Sequence, residues 1–162
     1  MRTLAALLVV AGLVLSMTPA VSHAQGSPVQ LSLFNPVQIV PETKGISGLR
    51  LNLIYTKNTS MTGFDVGLVN QTTGSMVGVQ WAAVGLVGGN FEGWQSGVVN
   101  ITDGRFTGFQ SAWIYNSTNH CKGLQIALVN TTETMEGIQI GLVNMIKKGG
   151  AFKIFPIVNW SF

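Results

Sequence analysis

Glutamine recurs at a nearly constant spacing along the second half of the sequence. The five residues are Gln80, Gln95, Gln110, Gln125 and Gln139. A primary amide both donates and accepts hydrogen bonds, so a column of amides is compatible with two arrangements. The first is a structural ladder of side-chain hydrogen bonds between repeats. The second is a polar binding strip on the surface, which would take a glycan or a peptide.

Groups that carry out catalysis or hold metal ions are few. Cys121 is the only cysteine, and His120 is the only histidine outside the N-terminal segment. The acidic residues are scattered along the chain, and no metal-ligand spacing, carboxylate pair or phosphate-binding loop is evident in the sequence. The sequence therefore predicts a protein that is not an enzyme and has no catalytic residues, no cofactor and no metal site.

The glutamines belong to a repeated octet, of which Gly137 to Asn144, GIQIGLVN, is the clearest copy. We number octet positions from the leading glycine, so that glutamine holds position 3 and asparagine position 8. The seven copies begin at Gly48, Gly63, Gly78, Gly93, Gly108, Gly123 and Gly137. Successive copies start 15 residues apart, except that the last two are 14 apart. A fixed period of this length indicates one structural unit that is copied and stacked.

Each octet alternates in polarity as a β-strand does. In the second copy, Phe64, Val66 and Leu68 point to one side, and the residues between them point to the other. Turn-forming stretches such as Ile101-Thr102-Asp103-Gly104-Arg105 separate the octets. The sequence therefore predicts an all-β fold.

Two all-β architectures fit the period. In the favoured one, the 15-residue repeats form a β-solenoid-like parallel stack. The alternative is an 8-stranded antiparallel outer-membrane β-barrel, for which the alternating aromatic ending at Phe162 and a membrane-length strand are arguments. The solenoid is favoured because a closed barrel needs a net stagger between its strands, and identical one-strand repeats give almost none.

The apolar side of the octet is expected to be the core of the stack. Large and small residues compensate within a copy, as in Val79-Trp81-Ala83 and Trp94-Ser96-Val98, and close packing imposes such compensation on interiors. Cys121 takes the slot that Met61 holds in its own copy, so it is predicted to be a buried hydrophobe. The glycine and glutamine strip would then form the outer surface.

Position 8 predicts an asparagine ladder at one corner of the stack. Its members are Asn70, Asn100, Asn130, Asn144 and Asn159. Gly85 and Tyr115 replace the asparagine in copies three and five, which predicts interruptions there. At position 3, Arg50 and Asp65 precede the glutamines, and adjacent copies would bring them together as an ion pair.

The ends of the chain complete the domain plan. Residues 1–24 have the basic start, apolar run and small-residue ending of an export signal peptide. Residues 25–47 are predicted to form an N-terminal strand or cap, and residues 48–162 the repeat domain of seven regular copies plus an altered C-terminal copy. The net charge of +3 is spread thinly, and charged residues make up only 9% of the chain, which argues against nucleic acid as a partner.

The unit glycine-apolar-glutamine-x-glycine-leucine-valine-asparagine resembles that of the bacterial surface-repeat-containing proteins. The resemblance covers roughly residues 28–162, including the Phe155-Pro156-Ile157-Val158-Asn159 ending. It implies an exported, non-enzymatic envelope or surface protein, acting as a structural or ligand-presenting scaffold, with outer-membrane or other envelope components as candidate partners. The second expectation, tied to the barrel, is a small integral outer-membrane protein with a structural role or a narrow pore.

Overall fold

The computed structural model describes residues 26–162, so the predicted signal peptide at residues 1–24 lies outside the described part. Within residues 26–162 the regular structure is entirely β, without a helix. The strands are β1 (Ser27–Phe34), β2 (Val37–Gln38), β3 (Ile46–Asn52), β4 (Tyr55–Asn58), β5 (Met61–Thr72), β6 (Met76–Val87), β7 (Phe91–Ile126), β8 (Val129–Ile146) and β9 (Ile154–Ser161).

Each copy of the repeat forms one turn of a parallel β-solenoid. Strands β5 and β6 pair in parallel with Gly63 opposite Gly78, and β6 and β7 continue the same register with Gly78 opposite Gly93. Strand β7 is 36 residues long and therefore runs through more than two turns without a break. The predicted solenoid is confirmed. The antiparallel barrel alternative is wrong, because consecutive copies lie parallel with like residues stacked on like.

The two sides of the octet are the reverse of those predicted. Gln80, Gln95 and Gln110 are fully buried, whereas Phe64 and Trp81 on the apolar side are more than half exposed. The prediction that the apolar side forms the core, with the glutamine strip outside, is therefore wrong. The alternation in the sequence shows which residues share a face, but it does not by itself decide which face turns inward.

Glycines at position 1 allow close stacking of adjacent copies. They adopt positive φ angles between 118° and 147°, a conformation that L-residues with side chains avoid. A Cβ atom on Gly93 would lie 2.0 Å from the carbonyl oxygen of Gly78 in the preceding copy. The leading glycines therefore let adjacent copies stack closely, with the position-3 side chains of neighbouring copies within hydrogen-bonding distance.

One apolar column remains inside the solenoid, just before each leading glycine. It consists of Ile46, Met61, Met76, Phe91, Phe106, Cys121 and Met135, with Val40, Val87 and Ile146 completing the cluster. Phe91 and Phe106 stack with their ring centroids 5.2 Å apart. The expected burial of Cys121 in this column is confirmed.

The two ends of the stack are covered by different strand arrangements. At the N-terminus, β1 pairs in parallel with β3, and Pro36 separates β1 from the short antiparallel β2. At the C-terminus, β9 runs antiparallel to β8 and sets Asn159 opposite Gln139. The expected eighth copy is thus a reversed strand. Its direction sets Phe155, and not Asn159, opposite Asn144.

Candidate functional site

The five position-3 glutamines form a continuous ladder inside the solenoid. Each amide nitrogen donates to the side-chain oxygen of the preceding copy, with nitrogen–oxygen distances of 2.7–2.8 Å along the row from Gln139 to Gln95. All five side chains, Gln80, Gln95, Gln110, Gln125 and Gln139, are fully buried. The structural ladder is confirmed. The alternative, a polar binding strip on the surface, is wrong, because these five side chains are fully buried.

The ladder begins at a buried ion pair, as position 3 of the first two copies predicts. The guanidinium of Arg50 contacts both carboxylate oxygens of Asp65, at 2.7 Å from Nε and 2.6 Å from Nη2. Neither side chain is exposed. Arg50 also donates to the Thr72 hydroxyl at 2.9 Å. Burial of both charges makes these extra bonds necessary, since an uncompensated buried charge is costly.

Asp65 fixes the direction of the ladder. An ionised carboxylate only accepts hydrogen bonds, so Gln80 must turn its amide nitrogen toward Asp65, at 2.7 Å. The carbonyl oxygen of Gln80 then faces the next copy, and the same orientation repeats along the row. At the far end, the side-chain oxygen of Gln139 has no hydrogen-bond partner among the described residues.

The asparagine ladder is longer than the octet alignment predicts. Asn116, one residue beyond Tyr115, accepts a hydrogen bond from Asn100 at 3.1 Å and donates to Asn130 at 3.0 Å. The predicted interruption in copy five is therefore wrong. At copy three the predicted interruption is confirmed, because Gly85 has no side chain to join the ladder. A side chain would not fit there, since a Cβ on Gly85 would lie 2.3 Å from the side-chain oxygen of Gln80.

Cys121 is predicted to be inert toward thiol reagents in the native protein. Burial raises the pKa of its thiol to about 12, so below that pH the group stays protonated, and only the thiolate reacts. We expect no labelling by a disulfide reagent at pH 8 in buffer and complete labelling in denaturant. Stoichiometric labelling of the native protein at a rate close to that of free cysteine would contradict this expectation.

The outer surface of the octets is the candidate functional surface. We call it the apolar face and define it by the outward side chains at octet positions 2, 4 and 6 and the valine-type residue that follows. In all seven copies these positions carry no charged residue. Val29 and Leu31 of β1 and Trp160 of β9 extend the face at its two ends. The prediction that the apolar side, with Trp81 and Trp94, forms the core is wrong for both residues: they lie on this face, as does Trp113.

Copies one and five each contain an extra residue that raises a side chain above the apolar face. In copy five, Gln110 pairs with Gln125 at a spacing of 15, but Asn116 pairs with Asn130 at a spacing of 14. Such a bulge redirects nearby side chains. Trp113, at this bulge, is 82% exposed, the most of any tryptophan described.

Trp113 stands between two shallow depressions in the apolar face. One, of about 420 Å³, also has Trp81, Trp94 and Ser96 in its wall. The other, of about 390 Å³, extends along the later copies past Ile126 and Leu142. The rings of Trp81 and Trp94 meet edge to face at 5.4 Å. Trp113 is therefore a projection with a recess on either side, one of which has the Trp81–Trp94 pair in its wall.

Apart from the buried pair of Arg50 and Asp65, the charged side chains lie away from this face, in and beside the turns between octets. Lys122 pairs with Glu136 at 2.8 Å, and Lys147 pairs with Glu133 at 2.6 Å. The hydrogen bond and charge of Lys147 lower the pKa of Glu133, and those of Lys122 lower the pKa of Glu136. The solenoid is thus amphipathic around its circumference, with one uncharged face and one charged edge.

Comparison with protein-family models, with curated proteins and with solved structures finds no match for this chain. In residues 26–162 no helix is long and apolar enough to cross a membrane, and no three histidine, cysteine or acidic residues in that range are placed to share a metal ion. His120 instead lies 2.7 Å from the hydroxyl of Thr134. The apolar face is accordingly the strongest functional feature that the described residues present.

Proposed function

We propose that this protein is an exported, non-enzymatic scaffold of the bacterial cell envelope, and that its apolar face is its binding surface. The observation that carries the proposal is the uncharged, exposed face along all seven copies. Monomeric soluble proteins rarely expose continuous apolar patches above a few hundred Å² unless the patch binds something. The export signal in the sequence and the resemblance to surface-repeat proteins support the envelope as the compartment.

Burial of the polar repeat residues supports a scaffold role over a ligand-binding cleft or catalysis. Glutamine, asparagine and arginine side chains are consumed by hydrogen bonds within the stack, so they hold adjacent copies in register. Neighbouring copies then present their outward side chains as a straight, repeating surface. Such a surface suits extended contact with a complementary apolar surface.

Cysteine accessibility in the native envelope tests this proposal. We expect a cysteine at Leu142, which is 67% exposed, to be protected from a membrane-impermeant maleimide in isolated envelopes and to react after purification and dilution. Thr73→Cys, on a turn away from the face, is the matched control and should react in both states. The buried Cys121 keeps the background low.

Two outcomes would reject the proposal. The first is recovery of the protein in the cytosolic fraction with residues 1–24 still attached. The second is maleimide labelling of the Leu142→Cys variant in native envelopes as fast as labelling of the Thr73→Cys variant, which would mean that nothing covers the apolar face.

A further inference from the structure

We propose that the apolar face is covered by a second copy of the same chain, in a symmetric dimer in which Trp113 of each copy enters a recess beside Trp113 of the other. The inference rests on the proposed function, because it names the partner of that surface. It is carried by the relief of the face, by its area and by the placement of charge around it.

The relief of the face is complementary to itself. A two-fold interface brings the same patch together from both copies, so the patch must contain both a projection and a recess that accepts it. Trp113 projects from the bulge of copy five, and recesses of about 420 and 390 Å³ lie on its two sides. Because the projection is near the middle of the stack, a two-fold axis close to it places each Trp113 over a recess of the partner.

The recess beside Trp113 exists because small residues interrupt a large-residue row. Trp81 and Ser96 occupy the same outward position in adjacent copies, and the next copy has Ser111 there, whose hydroxyl donates to Ser96 at 3.1 Å. Lipid chains adapt to any surface relief, so contact with lipid requires no matching recess. A protein partner that packs at interior density requires a recess for each projecting side chain.

The area is sufficient for a stable dimer. The face is nine rows long: β1, one row for each of the seven copies, and β9. At about 4.8 Å between rows, its length is on the order of 43 Å. The outward positions span about 17 Å along each strand at about 3.3 Å per residue. The resulting flat area, on the order of 700 Å², is close to the roughly 800 Å² per partner of standard stable interfaces.

The charge distribution favours protein over a lipid surface. Proteins that lie on membranes present cationic side chains beside their apolar face. Here the outward octet positions hold no lysine or arginine in any of the seven copies, and Lys122 and Lys147 pair with Glu136 and Glu133 of the adjacent copy. Two apolar faces that meet leave all of these pairs at the rim in solvent, so dimerisation buries no charge.

Sedimentation equilibrium of the purified chain, without lipid or detergent, tests the inference. We expect twice the monomer mass. Trp113→Arg should weaken dimerisation at least about tenfold, since exposed tryptophans that enter a pocket are typical interface hot spots. Thr73→Arg adds the same charge on a turn away from the face and should dimerise as the unmodified chain does.

A second variant fills the recess without removing the projection. Ser96→Trp places an indole at the outward position that Trp81 occupies in the preceding copy, so the fold can accept it, yet the recess is closed. We expect it to weaken dimerisation at least about tenfold, with an unchanged far-ultraviolet circular dichroism spectrum. Dimerisation of Trp113→Arg or Ser96→Trp at the affinity of Thr73→Arg would overturn the inference.

Failure of this inference is distinguishable from failure of the proposed function. A purified monomer at all concentrations, together with protection of the Leu142→Cys variant in envelopes, would overturn the dimer and leave the apolar face as a surface for another envelope component. Flotation of that monomer with phosphatidylcholine vesicles, lost in Trp113→Arg, would assign the face to lipid instead. Labelling of the Leu142→Cys variant in envelopes would reject both proposals.

Discussion

Replacing Arg50 with glutamine is expected to lower the free energy of unfolding by about 3–5 kcal/mol, because it leaves the buried Asp65 carboxylate without its counter-ion. Arg50 supplies two of the four side-chain hydrogen bonds to that carboxylate, at 2.7 and 2.6 Å, and the only positive charge beside it. Asp65→Gln should cost a similar amount, since it leaves the buried guanidinium unpaired. Urea denaturation followed by circular dichroism measures both values.

The double variant Arg50→Gln, Asp65→Gln is expected to recover most of this loss, to within about 2 kcal/mol of the unmodified protein. Gln30 of β1 lies opposite Arg50 in the register, so the double substitution gives glutamine at every position of the column from residue 30 to residue 139. Replacement of a buried ion pair by a well-packed neutral pair is often close to neutral. The coupling between the two substitutions, obtained from the full cycle, is the decisive quantity.

Additive losses in the double variant would contradict this account. They would mean that the ion pair does more than cap the ladder, and that glutamine cannot take its place at this end of the solenoid. Single variants as stable as the unmodified protein would also contradict it, because they would show that the two charges gain water in the folded state.

The sequence was sufficient to predict the repeat unit, the parallel stack and the contacts between like residues. The period alone predicts three contacts, because residues one period apart meet in a solenoid. These are the pair of Arg50 and Asp65, the glutamine ladder, and the apolar column that contains Cys121. These predictions needed no knowledge of which side of the strand faces inward.

The inward side could not be predicted by the usual preference for apolar cores. Glutamine and asparagine satisfy their hydrogen bonds with the identical residue of the next copy, so burial costs them little here. The rule that buries apolar residues is overridden where an identical neighbour lies one strand away along the stack.

Alignment on glycine concealed the bulge of copy five, and with it the projection of Trp113. The triplet asparagine-x-threonine marks the register better. It occurs at Asn70-Gln71-Thr72, Asn100-Ile101-Thr102, Asn116-Ser117-Thr118 and Asn130-Thr131-Thr132, and both its asparagine and its threonine are buried in each case. Aligned on this triplet, copy five has one residue too many before Asn116 and one too few after it, which is the observed bulge.

Substitution of a leading glycine is expected to destabilise the protein at least as much as loss of one partner of the buried ion pair. Gly93→Ala should cost at least about 4 kcal/mol or prevent folding. Its φ of 130° is unfavourable for alanine by about 1–3 kcal/mol, and the added methyl group would overlap the carbonyl oxygen of Gly78 at 2.0 Å. Relief of that overlap requires copies three and four to separate, which breaks the ladder hydrogen bond between Gln80 and Gln95 as well.

Gly149→Ala separates the two causes. Gly149 also has a positive φ, 74°, but a Cβ there would meet no atom within 4 Å. Its cost should therefore be the conformational penalty alone, about 1–2 kcal/mol. Urea denaturation of the two variants, with the soluble yield recorded if Gly93→Ala does not fold, measures the difference. A cost for Gly93→Ala no greater than that for Gly149→Ala would show that adjacent turns can move apart freely, and the leading glycine would then owe its recurrence to φ alone.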